Sequence, residues 1–142
     1  MSLPQRIVVA VDGSDPSIKA LGYALKLASM SKARVLLVHV MLLPSGTEPE
    51  TMEAVRKELS AKGSDILNRA ANMAKSNDVQ VQTRMVETDC SVSMAIVDLS
   101  NKEKAELIVL GTKGISGYPR LMLGSTAAGA VSFASCPVLA VR

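Results

Sequence analysis

From residue 107 to its last residue, 142, the chain carries Lys113, Arg120 and Arg142 but no aspartate or glutamate. Five of its nine glycines, Gly111, Gly114, Gly117, Gly124 and Gly129, fall in the same stretch. Positive side chains without carboxylates, on a backbone that glycine lets approach oxygen atoms, suit an anion. The loop from Gly111 through Lys113 and Gly114 to Gly124, Ser125 and Thr126 joins the apolar run at 107–110 to a helix that begins near Gly124. Unpaired helix N-terminal amides together with Ser and Thr hydroxyls make a phosphate cradle. The same residues also admit a plainer reading, a turn after a strand with Gly124-Ser125 as a helix cap. Two better-known phosphate loops are excluded. There is no G-x-x-x-x-G-K-S/T, and Gly111, Gly114 and Gly117 do not have the G-x-G-x-x-G spacing.

Other polar residues also admit two readings. Asp12 ends an apolar run and precedes Gly13, so it serves as a turn residue or, beside a phosphate site, as a ligand for nucleotide or a divalent cation. His39 is the only histidine and has no serine and acid arranged around it in sequence, which favours a local hydrogen bond over catalysis. Cys90 and Cys136 follow no metal-ligand spacing and lack a nucleophile's setting. The eight methionines read as core filler. No residue is assigned a catalytic role.

These residues need a frame to hold them. Residues 7–11 read as a buried strand; Ser14 or Asp15 caps the helix that follows, and Pro16 suits its first turn. Ile18, Leu21, Leu25 and Ala28 continue that helix. A second strand is expected at 34–40 and a loop with Pro44, Gly46 and Pro49 at 42–50. Met52, Val55, Leu59, Ile66, Ala70 and Met73 mark a long helix over 50–76, with a kink or break expected at Gly63. Strands follow at 79–86, 107–110 and 137–141, with helices at Val92–Leu99 and 125–135 between them. Strands that alternate with helices and are apolar on both faces predict an α/β fold: an open, doubly wound, parallel five-stranded sheet with helices on both faces. Its ligand belongs at the carboxyl ends of the strands, where the winding reverses.

At 142 residues and 48% hydrophobic, the chain is expected to form one domain over 1–142 with its own core. A formal charge of +3 and 2% aromatic residues argue against nucleic acid as the main partner. The apolar runs fall far short of the ~20 residues that span a bilayer, so no membrane partner is expected. With no signal-peptide pattern and two unpatterned cysteines, a soluble protein of the reducing cytoplasm is expected.

Several segments together resemble one family. Residues 7–14 read IVVAVDGS, 36–40 read LLVHV and 136–142 read CPVLAVR, while Gly111, Gly114, Gly124 and Ser125 match G-x2-G-x9-G-S/T at every spacing. The chain in this respect resembles the universal stress proteins, in particular their ATP-binding subgroup. The resemblance implies a Rossmann-like sheet of order 3-2-1-4-5 and ATP with Mg2+ or Mn2+. It further implies a homodimer, for which the apolar C-terminal strand at 137–141 offers a sheet edge; the leading expectation is a nucleotide-dependent stress or signalling switch that acts on an unknown protein partner. Residue by residue it places Asp12 near the nucleotide and metal, Ala10 and Val11 in the pocket wall, and the Val40 backbone at the adenine edge. Leu110 and Gly111 would line the ribose side; Lys113, Gly114, Gly124, Ser125 and Thr126 would hold phosphates. Two places depart from the family pattern: Thr88-Asp89-Cys90-Ser91-Val92 replaces a Gly-x-Pro-like turn, and Pro119 lies inside the x9 segment. The alternatives are a homodimeric interaction module that needs no nucleotide, and slow ATP hydrolysis or phosphate transfer to Ser125 or Thr126.

Overall fold

Strands and helices alternate strictly along a computed structural model that describes residues 2–113 and 123–142. In chain order they are β1 (Arg6–Ala10), α1 (Asp15–Ser31), β2 (Arg34–Leu42), α2 (Pro49–Ser76) and β3 (Val81–Thr88), then α3 (Val92–Lys102), β4 (Leu107–Gly111), α4 (Ser125–Phe133) and β5 (Val138–Val141). The strands form one parallel sheet in the order β3-β2-β1-β4-β5, as the family resemblance implies. The winding reverses between β1 and β4, where Ile7 lies opposite Leu107 and Val9 opposite Val109.

Alternation along the central strands divides the core in two. Ile7, Val9 and Leu37 face α1 and α2, packing on Leu21, Leu25, Leu67, Ala70 and Ala74. Val8, Leu36 and Ile108 face α3 and α4, packing on Ile96, Leu99, Ala127 and Ala130. Strands buried on both faces in this way need apolar residues at successive positions, which is why β1 and β4 read as unbroken apolar runs. Among the described residues, no helix is long and apolar enough to cross a membrane.

Two expectations are corrected. β2 and β3 extend together to Leu42 opposite Thr88, beyond the expected ends at 40 and 86, because pairing between the two continues there and Met41 and Leu43 are buried. The break expected at Gly63 does not occur, and α2 runs unbroken for 28 residues. Gly63 is instead a point of close approach: a Cβ there would lie 2.7 Å from His39 Cδ2 and 2.9 Å from Met85 Cε. The helix crosses the sheet on that glycine, and the packing outweighs its weak helix propensity of about 1 kcal/mol relative to alanine.

Candidate functional site

The carboxyl ends of β1, β2 and β4 open into a cleft of about 580 Å3. Ala10, Val11 and Asp12 line it from the end of β1, and Val40 from β2. Leu110, Gly111 and Lys113 line it from β4 and the residues after it; Gly124, Ser125 and Thr126 line it from the start of α4. Ten of the eleven sequence-expected site residues thus border one cavity, and Gly114 lies outside the described residues. A smaller cavity of about 130 Å3 lies at the opposite end of the sheet, beside Arg6 and Arg34, and is too small for a nucleotide.

The turn from β1 into α1 is closed on itself. Gly13 takes the left-handed conformation, φ 84°, that glycine adopts without steric cost. Asp12 Oδ1 accepts hydrogen bonds from the Ser14 amide at 2.9 Å and the Ser14 hydroxyl at 2.5 Å. Ser14 Oγ in turn accepts from the Ser17 amide and so caps α1. The buried Ser17 hydroxyl donates to Ser14 O at 3.0 Å and accepts from the Asp12 amide at 3.3 Å. One oxygen of the Asp12 carboxylate is thereby fixed, and the other has no hydrogen-bond partner among the described residues.

The turn from β4 into α4 is built differently. Gly111 passes so close to the start of α1 that a Cβ would lie 2.9 Å from the carbonyl carbon of Pro16, so this glycine serves packing at least. Thr112 N–H donates to Val141 O at 2.8 Å, and Thr112 O accepts from Gly124 N–H at 2.6 Å. The chain therefore leaves and returns at one hydrogen-bonded point. α4 begins on Gly124 with no side-chain cap and no acidic residue in its first turn. Its first helical bond runs from Ala128 N–H to Gly124 O at 2.9 Å, which leaves the amides of Ser125, Thr126 and Ala127 without intrahelical acceptors. Partial positive charge collects at such an end, here without a side chain to neutralise it.

The remaining wall is apolar. Val92 and Ile96 come from α3, whose own N-terminus is capped by Ser91 Oγ accepting from Met94 N–H at 3.2 Å. Leu59 reaches over from α2, and His39 stands beside Val40 with its Nδ1 2.8 Å from Val11 O. Sequence reasoning missed Thr112, Leu59, Val92 and Ile96 as lining residues and gave His39 only a structural bond. Periodicity assigns a helix its apolar stripe, but it does not separate the part of that stripe over the core from the part that overhangs the sheet.

No cluster of three or more His, Cys, Asp or Glu that could hold a metal alone exists among the described residues. Among the described residues Asp12 is the one carboxylate lining the cleft, so a cation bound here would take its other ligands from a phosphate and water, as Mg2+ commonly does. Cys90 is exposed, and its hydrogen bond to the Asp89 carboxylate, with the charge of that group, raises the thiol above its usual range. Burial raises Cys136. Both shifts run opposite to what an activated thiolate requires.

The model of the universal stress protein family matches residues 4–142. A universal stress protein of Methanocaldococcus jannaschii is 34% identical over 144 residues, spanning 99% of this chain and 84% of that protein. One from Bacillus subtilis is 33% identical over 147 residues, spanning 96% of this chain and 98% of its own. Among solved structures, a universal stress protein from Lactobacillus plantarum shares the fold with a TM-score of 0.88 at 22% identity, covering 100% of this chain and 99% of that one. A universal stress protein in complex with cAMP aligns with a TM-score of 0.78 at 28% identity over 99% of both chains.

Proposed function

The chain belongs to the universal stress protein family, and from that premise we propose that it binds ATP in the cleft at the carboxyl ends of β1, β2 and β4 as a nucleotide-dependent stress or signalling switch. The observation that carries this reading is the start of α4. Three amides without helix partners and an uncapped positive helix end face a cleft whose volume, about 580 Å3, lies in the range of small-molecule sites. The relative solved with cAMP, at 28% identity, supports an adenine nucleotide as the class of ligand.

In this reading the phosphates lie on the amides of Ser125 and Thr126 beside Gly124, with Lys113 and Gly114 on the loop side. Asp12 offers its unpaired oxygen to the ribose or to Mg2+ or Mn2+ held jointly with phosphate. Leu110 and Gly111 border the ribose, Ala10 and Val11 form the wall, and the Val40 main chain meets the base. Asp12 is already anchored through Ser14, which suits an orienting acceptor better than a general base, so binding rather than turnover is proposed. Occupancy would set the conformation of the loop between Gly111 and Gly124 and so change a surface offered to a protein partner in the cytoplasm.

The test is gentle denaturation of freshly purified protein, with identification of any released nucleotide, followed by thermal melts in ATP and magnesium. ATP in the supernatant, or a melting temperature that climbs with ATP concentration, is expected. At a hundredfold excess over Kd the added stability is about 2.7 kcal/mol. No released nucleotide and no shift at millimolar ATP would overturn the proposal.

A homodimer through β5 is a second proposal, supported by the character of that edge. β5 is four residues long and carries no charge, and Val131 and Phe133 on the adjoining α4 are 54% and 62% exposed. Uncharged edges invite pairing. Gel filtration with and without ATP distinguishes a dimer that needs nucleotide from an interaction module that does not.

A further inference from the structure

β1 and β2 part company one residue before their hydrogen bonding would be complete. Their last paired residues are Ala10 and Val38, and the final ladder bond runs from Val11 N–H to Val38 O at 2.8 Å. In a continuing parallel ladder the next bond would run from Val40 N–H to Val11 O. No main-chain donor reaches Val11 O among the described residues. His39 Nδ1 lies 2.8 Å from that oxygen instead. A carbonyl only accepts, so Nδ1 carries the hydrogen and donates it. On its other side β2 stays paired with β3 as far as Leu42 and Thr88, while β1 has already turned away toward Asp12. The main-chain groups of Val40 that would have met β1 therefore face the cleft it vacates, and Val40 lines that cleft. The ring has little room to swing, because the α2 backbone crosses against its edge at Gly63, where a Cβ would stand 2.7 Å from Cδ2.

We propose that His39 is a positioning residue: its imidazole takes the Val11 carbonyl in place of the Val40 amide, leaving Val40 N–H and C=O to read the edge of an adenine base. This rests on the nucleotide reading above. A donor and an acceptor on one residue match the N1 acceptor and N6 amino donor of adenine. Hypoxanthine and guanine present N1–H and O6 in the reverse order, so each would leave a buried group unpaired.

The experiment compares binding of ATP and of 1-deaza-ATP, which has CH in place of N1, by calorimetry. It uses the wild type, His39→Leu, His39→Asn and Gly63→Ala, each with its melting temperature recorded. The wild type is expected to prefer ATP by about tenfold, the worth of one well-made hydrogen bond. In His39→Leu the preference falls to near one. His39→Asn, whose side-chain amide can donate from the same position, restores most of it. Gly63→Ala displaces the ring and lowers the preference as His39→Leu does, although alanine is the better helix former. A wild-type ratio retained by His39→Leu overturns the proposal; should that variant not fold, the same ratio in Gly63→Ala does so. Equal binding of the two nucleotides by the wild type overturns this inference and leaves the nucleotide reading intact. Binding of neither overturns both.

Discussion

Two turns leave neighbouring central strands at the same end of the sheet, and each leads into a helix, yet they treat their polar groups in opposite ways. Between β1 and α1, the Asp12 carboxylate and the Ser14 and Ser17 hydroxyls bond to one another and to the turn, and Ser14 caps the Ser17 amide of the helix. Between β4 and α4, Gly124 supplies no side chain, and the amides of the first turn are left to the cleft. Local propensity alone would favour Ser or Asp at both N-caps. The start of α2 also lacks a side-chain cap, so the distinction of α4 is its place on the cleft, where in the proposed reading a ligand completes the hydrogen bonding.

The contrast between the two turns is removed by giving the second the chemistry of the first. Gly124→Asp places a carboxylate where the phosphates are proposed to lie. At about 4 Å and an effective dielectric near 20, like charges repel by several kcal/mol, so ATP affinity should fall at least about a hundredfold in calorimetry while the fold persists. Unchanged ATP affinity in this variant would mean that the bare helix start is only a turn. A second substitution separates packing from binding. Gly111→Ala drives a methyl into the Pro16 backbone and should cost about 1–3 kcal/mol in urea denaturation without nucleotide. A smaller cost is expected from Ser14→Ala, which removes the α1 cap and a partner of Asp12 and should lose about 1 kcal/mol in the same measurement. The mildest variant is Gly124→Ser. It should raise the stability of the unliganded protein by a few tenths of a kcal/mol, since serine caps slightly better than glycine, while weakening ATP binding severalfold. A rise in both stability and affinity would show that cap and ligand do not compete.

Much of this arrangement was legible in the sequence because burial on both faces writes itself as consecutive apolar residues. The runs at Ile7 and at Leu107 located the two central strands, and the glycines that follow Leu110 located the cleft. What stayed illegible depends on contacts between distant residues. Gly63 read as a weak point in a helix, since propensity is local, while its neighbours His39 and Met85 lie on two other elements. The bond between His39 and Val11 spans 28 positions and depends on β1 ending before β2 does. The ends of β2 and β3 fall beyond those the sequence predicts, because the loop signals of Pro44, Gly46 and Pro49 obscure the buried Met41 and Leu43, while Glu87 and Thr88 carry no apolar signal. Gly111 was assigned to the ribose by resemblance, and nothing in one dimension announces that Pro16 presses on it.

The single hydrogen bond from Gly124 N–H to Thr112 O, next to the bond from Thr112 N–H to Val141 O, anchors both ends of the intervening segment to the sheet. With Thr112 and Gly124 held together in this way, the entropy of joining them rises only logarithmically with the length of chain between, about 0.6 kcal/mol for each doubling. The stability of the sheet and helices is therefore set by the two fixed points and depends little on the length that connects them.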